Sequence, residues 1–424
     1  MARSWSDRSR RARARWDTER ASGRAGVQFL FTAVTRRLSA AERASRRTRA
    51  AFYRELWTAA AAGRGLRARP LAGSGMEIGT DTAKIVVDKT PRDLESAQAT
   101  TLAADKLAAY RLLENAGLPV PAHAAFSLSD LAAARSFLAA AQGPCVVKPA
   151  RDTSGGSGVT TGVTTTAFLR RSAIGAAAAG ARMSESARSR SRIRRVRDRL
   201  ASVREVPLLI EEQVPGANYR LLYLDGELID AIRRSAPTVV GDGVATIDEL
   251  IRRSNERRVR DGDRIGVTIV TDDADLHVTL AAQGLGIRSV PGDGVAVALK
   301  TAINEGLPQD NWPARAELCD EIIEEGLRAV MALRVRLAGV DVITSEPGVP
   351  LGESGGCILE VNTDPGLSMH CHGHPGQIQP ADVLLSRLLE LPRCDSADPQ
   401  VLGSADLRVD GSVDRVEGSR ATAG

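Results

Sequence analysis

Two segments near the carboxyl end of the chain, residues 339–343 and 358–362, alternate polar and apolar residues as β-strands do. Successive side chains of a strand point to opposite faces, so Glu360 and Asn362 share one face. Asp341 follows the same logic on a neighbouring strand. Two carboxylates and an amide oxygen that converge there would form a hard-oxygen site suited to Mg²⁺. The alternative is that the three are unrelated polar residues at strand ends.

A second motif joins a lysine to a glycine-rich loop. Residues 145–149 form a short predicted strand that contains Lys148, and residues 152–158 are rich in glycine and hydroxyl groups. The backbone N–H groups of such a loop can cover a polyphosphate. It is not a Walker A loop, since no Lys-Ser/Thr follows the glycines. A simple linker turn is the alternative.

A third motif, residues 208–216, is an apolar strand that runs into Glu211, Glu212 and a Pro-Gly bend. An adenine-binding hinge between two lobes needs this arrangement, because its backbone reads the purine edge while a carboxylate accepts the amino group. A charged strand end is an equally common explanation of these residues.

From about residue 76 the chain alternates strand and helix signals, which favours an α+β or α/β enzyme of two lobes. The main predicted helices are 38–62, 102–116 and 314–333, and predicted strands include 267–270, 337–344 and 357–361. The predicted organisation begins with an Arg/Ala-rich N-terminal helical arm (1–75) and ends with a disordered tail (393–424). Between them lies a catalytic region (76–392). This region has two lobes, of about 101–214 and 215–392, and carries an Arg-rich insertion (170–204).

The basic balance comes almost entirely from arginine. The net charge is +5. The lysines are few, namely Lys84, Lys89, Lys106, Lys148 and Lys300. This indicates a coding bias rather than a selected nucleic-acid surface. For residues 1–70 a solvated arm that partly packs on the body is favoured over a nucleic-acid-binding arm, because acidic residues interrupt the basic run. The insertion is expected to be peripheral, because it lacks the apolar periodicity of a core helix.

The cysteines and the apolar runs bear on the compartment. Five cysteines without CxxC spacing predict free thiols in a reducing environment. The longest N-terminal apolar run, residues 26–34, is too short to span a bilayer. We therefore expect a cytoplasmic protein without a membrane partner.

The order of the motifs resembles the ATP-grasp superfamily: a helix with Lys106, the Lys148 strand and its glycine loop, the acidic hinge, and then the Asp and Glu-x-Asn residues. Within it, the chain most resembles the ATP-grasp domain of cyanophycin synthetase and of the bifunctional glutathione synthetases, over roughly residues 76–392. The sequences YRLLYLDG, from Tyr219, and VVGDG, from Val239, carry much of the likeness. The resemblance implies two α+β lobes that clasp ATP.

The resemblance also implies roles for individual residues. ATP would be bound by Lys106, Lys148, Gly155, Gly156, Gly158, Glu211, Val214 and Asn218. Asn218 departs from the acid that many members place at the ribose. The Mg²⁺ ligands would be Asp341, Glu360 and Asn362. Arg234 and Lys148 would be the catalytic cations, and the substrate would meet Arg220, Gly366 and His370.

The run His370-Cys371-His372-Gly373-His374 contains three of the five histidines and suggests a zinc site. Similar Met-His-x-His runs follow the Asn ligand in cyanophycin synthetases. The lining of a substrate pocket is therefore favoured over a separate metal site.

The expected function is an ATP-dependent carboxylate–amine ligase that joins amino acids or short peptides through an acyl-phosphate and releases ADP and phosphate. Glutamate or aspartate, as in a γ-glutamyl linkage, is a guess for the carboxylate donor. The expected cofactors are ATP and one or two Mg²⁺ ions, with Mn²⁺ as a substitute. The chain shows no Mur-ligase-like or cysteine-ligase domain, so a single ligation is expected. Oligomerisation stays open. The alternatives are an ATP-grasp kinase that releases a phosphorylated small molecule, and a non-catalytic nucleic-acid-binding protein.

Overall fold

Strands and helices alternate along the protein in a computed structural model that describes residues 40–71, 73–151, 157–183, 203–260, 274–301, 311–371 and 378–390. The strands are β1 (Arg67–Pro70), β2 (Met76–Gly79), β3 (Lys84–Val87), β4 (His123–Phe126), β5 (Cys145–Pro149), β6 (Thr160–Val163), β7 (Leu208–Glu212), β8 (Ala217–Leu224), β9 (Glu227–Arg234), β10 (Thr238–Val240), β11 (Ala296–Ala298), β12 (Asn311–Pro313), β13 (Leu337–Thr344) and β14 (Cys357–Asn362). The helices are α1 (Ala40–Gly63), α2 (Ala97–Ala104), α3 (Lys106–Asn115), α4 (Ala132–Ala140), α5 (Thr166–Met183), α6 (Ile247–Arg260), α7 (Ala274–Ala282), α8 (Asp320–Leu333), α9 (Leu351–Ser354) and α10 (Pro380–Glu390).

Two antiparallel sheets form the framework. The four-stranded sheet has the order β4-β7-β5-β6, and the five-stranded sheet has the order β12-β9-β8-β13-β14. Two smaller sheets, β1-β2-β3 and β10-β11, accompany them. This mixture of helices and antiparallel sheets confirms the α+β class that the sequence predicts. The two main sheets fall within the two predicted lobes, whose exact limits stay a prediction.

The central strand β8 shows why one face of the five-stranded sheet is covered. Its residues Tyr219, Leu221 and Tyr223 point to one side, where they share a hydrophobic cluster with Ile322 and Val330 of helix α8. Alternate side chains of a strand share a face, so this set is buried together under the helix.

The opposite face of the same sheet is apolar only at one end. There Leu222 and Leu224 belong to a second cluster that includes Trp57 of α1, Ile78 of β2 and Leu384 of α10. The residues that precede Leu222 on this face of β8 are polar, and they form the site described below.

Helix α1 matches the predicted helix 38–62 closely, and it packs on the body through one face. Tyr53, Trp57, Ala60 and Ala61 are buried at the spacing of one helical face. The indole N–H of Trp57 donates to the backbone oxygen of Asp88 at 2.9 Å. The described part of the arm is thus part of a hydrophobic core.

The structure also differs from the expectation of a peripheral insertion that begins at residue 170. Residues 170–183 belong to α5, whose Leu169, Ala173 and Ala177 are fully buried in the cluster that also contains Val147 and Ile210. Alanine buries little area and gives weak periodicity, so the sequence pattern conceals a helix that packs closely on the sheet. Residues 184–202 lie outside the described residues.

Three further expectations concern the chain as a whole. The predicted strand 267–270 and tail 393–424 lie outside the described residues. Among the described cysteines, Cys145, Cys319, Cys357 and Cys371 are free thiols. Within the described ranges, no helix combines the length and apolar character that crossing a bilayer requires.

The burial of α1 predicts the effect of truncating its tryptophan. Trp57 has an exposed fraction of 0%, whereas Trp312 on β12 has 46%. We expect Trp57→Ala to lower the free energy of unfolding by about 3–5 kcal/mol, because it leaves a cavity in the core. Trp312→Ala, the matched control, should cost much less. Urea unfolding of both variants measures this. A loss of unfolding free energy for Trp57→Ala that is as small as that for Trp312→Ala would show that α1 does not contribute to the core.

Candidate functional site

Asp341 lies at the centre of the polar end of the five-stranded sheet. The strand register places it directly opposite Arg220 of β8 on one side and Glu360 of β14 on the other. Asn362 lies opposite Gly339, and its side-chain nitrogen donates to the Gly339 backbone oxygen at 3.3 Å. The three predicted metal ligands are therefore close neighbours on two adjacent strands.

Asp341 is buried and paired with two guanidinium groups. Arg220 donates to both of its oxygens, through Nε to Oδ1 and through Nη2 to Oδ2 at 2.7 Å. Arg234 donates to Oδ1 at 3.3 Å. Burial by itself would raise the pKa of Asp341, but the two arginines hold that pKa below its usual value. Burial lowers the pKa of Arg234 to about 10, so it stays charged at neutral pH.

A glycine beside this cluster makes room for it. A Cβ at Gly339 would come within 2.9 Å of both Arg220 Cδ and Pro365 Cβ. Such distances are shorter than real carbon contacts, so a larger residue would push the Arg220 side chain away from Asp341. Gly339, two positions before Asp341, thus leaves the space that the Arg220–Asp341 ion pair needs.

The second predicted lysine lies in a buried cluster between the two sheets. Lys148 of β5 is 2.7 Å from Glu211 Oε1 on the neighbouring strand β7, and its Nζ donates to the Tyr110 hydroxyl at 3.1 Å. That hydroxyl is 3.0 Å from Glu211 Oε2 and 3.0 Å from the backbone oxygen of Leu359 on β14. Tyr110 therefore connects the four-stranded sheet to the strand that carries Glu360.

Lys106 reaches the same place from a helix end. The predicted helix 102–116 is interrupted at Asp105, whose side chain caps α3 by accepting from the backbone of Leu107 at 3.1 Å. Lys106 is consequently the first residue of α3. Its Nζ lies 3.4 Å from Glu360 Oε1. The carboxylate partner of Lys106 thus lies in the five-stranded sheet, and that of Lys148 lies in the four-stranded sheet.

The hinge between the sheets is short and tight. Val214 is half-buried in the link from β7 to β8, and Asn218 Oδ1 accepts a hydrogen bond from Arg234 at 3.3 Å. Gly216 has φ of +137°, and a Cβ there would overlap the backbone of Thr344. Glycine at this bend lets the hinge cross the end of β13.

Of the predicted glycine loop, Gly155 and Gly156 lie outside the described residues. Gly158 has φ of +80°, and a Cβ there would come within 2.6 Å of Ala179 Cβ on α5. Its described surroundings are those of a turn packed on a helix. A contact with phosphate stays a prediction.

The loop after Asn362 is tied to the N-terminal part of the chain. Asp364 forms an ion pair with Lys89 and accepts from Thr90 at 2.7 Å. Gly366 precedes a 3₁₀ turn, Leu367–His370, in which Ser368 contacts the Tyr53 hydroxyl at 3.4 Å. Tyr53, which precedes the predicted catalytic region (76–392), therefore helps to shape this loop.

His370 forms a buried pair with an aspartate that the sequence analysis missed. Its Nδ1 is 2.7 Å from Asp230 Oδ2, and its buried Nε2 has no hydrogen-bond partner among the described residues. The Asp230 contact favours the tautomer with the proton on Nδ1. His372 and His374 lie outside the described residues. Within the described ranges, no three His, Cys, Asp or Glu side chains form a metal-binding group.

Tyr110 and Asp230 are the functional candidates that sequence reasoning overlooked. Tyr110 follows Lys106 by four residues, so both lie on one face of α3, and this spacing could have indicated it. Asp230 is an acidic residue within the half-buried strand β9. An acid in such a strand signals a buried partner, but the sequence does not say which one.

The comparisons with known proteins agree with the motif order. No protein-family model matches the chain. Cyanophycin synthetase of Trichormus variabilis is 31% identical over 271 residues, which are 63% of this chain and 27% of the relative. The glutathione biosynthesis bifunctional protein GshAB of Streptococcus mutans is 25% identical over 293 residues, or 68% of this chain and 36% of the relative. A solved bifunctional glutathione synthetase from Pasteurella multocida has 18% identity and a TM-score of 0.48, covering 80% of this chain and 43% of that one.

The two curated relatives confirm the predicted resemblance to the ATP-grasp superfamily. More particularly, the chain is similar to cyanophycin synthetases and to bifunctional glutathione proteins. It spans between 27% and 36% of the length of these two curated relatives.

The His370–Asp230 pair predicts a pH dependence of stability. Burial lowers the pKa of His370 below its usual value, with Arg220 and Arg234 acting in the same direction and Asp230 opposing. The unfolded chain therefore binds more protons here than the folded protein does. The associated stability is complete above about pH 6.5 and is lost as the pH falls below that value.

We expect His370→Asn, which keeps a donor for Asp230 but cannot titrate, to lose this dependence. Urea unfolding between about pH 5 and about pH 8 should show the wild-type free energy of unfolding falling more steeply towards acid than that of the variant. Parallel curves would show that His370 is not held neutral in the folded protein.

Proposed function

We propose that the chain is an ATP-dependent ligase that joins a carboxylate to an amine through an acyl-phosphate. One observation carries this proposal: two lysines converge on strand β14 beside the Asp341–Glu360 pair. Lys106 is paired with Glu360 at 3.4 Å, and Lys148 reaches the preceding residue, Leu359, through the Tyr110 hydroxyl. Cations held next to paired acidic ligands are what a metal–nucleotide complex requires.

The charge balance of the site favours an anionic ligand. Its charged side chains are Lys106, Lys148, Arg220, Arg234, Glu211, Asp341 and Glu360. Four cations and three carboxylates leave an excess of one positive charge. A polyphosphate would satisfy this excess, and the low exposure of most of these groups would strengthen the attraction.

The donor set fits Mg²⁺. Asp341 and Glu360 lie directly opposite each other, and the Asn362 nitrogen is engaged with Gly339, so the amide oxygen is the atom available as a ligand. Carboxylate oxygens have more than one acceptor position, so Asp341 can accept from arginine and still ligate. Asp341, Glu360 and Asn362 would hold the ion, which would neutralise phosphate charge when bound.

The remaining side chains suggest how the reaction would proceed. A substrate carboxylate oxygen bonds to the γ-phosphorus, and the bond to the ADP oxygen breaks. Lys148 and Arg234 would offset the charge of the transferred phosphoryl group. An amine nitrogen then bonds to the acyl carbon, phosphate leaves, and the nitrogen loses its proton. The Gly366 N–H would stabilise the oxyanion, and Arg220 would hold Asp341 in place.

The substrates are proposed from the relatives. Cyanophycin synthetases and bifunctional glutathione proteins support amino acids or short peptides, with glutamate or aspartate as a candidate carboxylate donor. Glu211 and Val214 would contact adenine, and Asn218 the ribose. The free thiols of the described cysteines support a reducing compartment such as the cytoplasm.

Removing one metal ligand should abolish turnover and leave the fold intact. We expect Glu360→Gln to reduce kcat at least about 100-fold, because it loses a charged ligand. Glu317→Gln is a matched control, since Glu317 is paired with Arg233 at 3.4 Å and is 32% exposed, against 3.4 Å and 30% for Glu360. Its partner Tyr219 points to the helix-covered face. Similar activity of the two variants would remove Glu360 from the site.

The identity of the nucleotide product tests the reaction class. γ-Phosphoryl transfer predicts ADP and free phosphate, and hydroxylamine should trap the acyl-phosphate as a hydroxamate when the donor amino acid is present without its amine partner. Chromatography of nucleotides and a colorimetric hydroxamate assay measure both. AMP with pyrophosphate would indicate adenylation instead. ADP formed with a stable phosphorylated product and no amide would indicate a kinase.

A further inference from the structure

The hydroxyl of Tyr110 lies where three strands meet. It contacts Lys148 Nζ of β5 at 3.1 Å, Glu211 Oε2 of β7 at 3.0 Å and the Leu359 backbone oxygen of β14 at 3.0 Å. The tyrosine is 1% exposed. A hydroxyl buried this deeply must be satisfied by protein partners, and here each partner belongs to or adjoins the candidate nucleotide site.

The protons of this cluster can be counted. Lys148 has three N–H donors, of which one points to Glu211 Oε1 and one to the Tyr110 oxygen. Tyr110 has a single proton, which it can give to Glu211 or to the Leu359 oxygen. Burial and the negative charge of Glu211 raise the pKa of Tyr110 well above its usual value, so the hydroxyl keeps this proton. Two of the three ammonium protons are thereby fixed in direction, and the third can serve a ligand.

We propose that Tyr110 is a positioning residue that holds the ammonium group of Lys148 towards nucleotide phosphate. This inference rests on the proposed ATP site. A lysine side chain has several rotatable bonds, and ordering it costs free energy that a ligand would otherwise supply on binding. Tyr110 and Glu211 fix the ammonium before the nucleotide arrives. Because Tyr110 lies one turn after Lys106 on α3, the same helix also sets the position of the first lysine.

A purely structural role is the competing explanation. Tyr110 belongs to the hydrophobic cluster under the five-stranded sheet, and its bond to the Leu359 oxygen joins two sheets. Such a role would lower stability when the hydroxyl is lost, but it would not change phosphate binding selectively. The two roles therefore differ in whether loss of the hydroxyl weakens the binding of ATP and ADP more than the binding of adenosine.

Tyr223 provides a matched control. It is also 1% exposed and belongs to the same cluster, and its hydroxyl donates to the backbone oxygen of Ile323 at 2.7 Å. Tyr110→Phe and Tyr223→Phe thus each remove one buried hydroxyl bonded to a backbone oxygen. Only the first removes a partner of a candidate phosphate-binding lysine.

The first test compares binding of ATP, ADP and adenosine by calorimetry. We expect Tyr110→Phe to weaken ATP and ADP binding about three- to tenfold more than adenosine binding, because adenosine carries no phosphate for Lys148 and this range is the net contribution of a typical hydrogen bond. Tyr223→Phe should change none of the three. Equal weakening of adenosine, or no effect of Tyr110→Phe on ATP, would overturn the inference. A wild-type protein that binds no ATP would instead refute the proposed function.

A second test does not need nucleotide. The chain has five lysines, so ¹⁵N-lysine labelling gives few ammonium signals, and Lys148→Arg identifies that of Lys148. We expect this signal to show slowly exchanging protons and a contact to the Tyr110 ring in the wild-type protein. Tyr110→Phe should shift it and speed its exchange, and Tyr223→Phe should not. A Lys148 signal without contact to Tyr110 in the wild-type protein would contradict the proposal even if the variant failed to fold.

Discussion

The polar end of the five-stranded sheet depends on the pairing of Asp341 with Arg220 and Arg234. A carboxylate buried in a sheet without a partner would cost several kcal/mol, and two guanidinium groups supply that partner. The pairing in turn fixes other features. It requires the strand register that sets Arg220 opposite Asp341, and it needs the space beside Gly339.

Stability alone does not account for these buried charges. Apolar residues of similar volume often give a protein equal or greater stability than a buried ion pair. The protein nevertheless keeps two such groups, Asp341 with its arginines in the five-stranded sheet and Lys148 with Glu211 in the four-stranded sheet. The proposed polyphosphate and metal site would explain why the charges are retained, because preorganised charges act strongly where water is excluded.

The surrounding layers leave this end of the sheet polar. Helix α8 covers one face, and α1, β2 and α10 cover the apolar end of the other face. The N-terminal part also contacts the loop that follows Asn362. Lys89 and Thr90 hold Asp364, and Tyr53 contacts Ser368, so segments far apart in sequence support the loop that follows the predicted metal ligands. The site is therefore a product of the whole described fold rather than of the motifs alone.

Local sequence patterns predict the α+β class, the faces of individual strands and most of the candidate residues. Alternation along residues 337–344 and 357–361 assigns Asp341 and Glu360 each to a strand and to one face of that strand, because that periodicity is local. The partners of these side chains follow only from the packing: Glu211 pairs with Lys148, Tyr110 contacts both, and Asp230 pairs with His370. Tyr110 and Glu211 are 101 residues apart in the chain, and Asp230 and His370 are 140 residues apart. A local pattern tells which way a side chain points, but only the packing of distant elements determines what it meets.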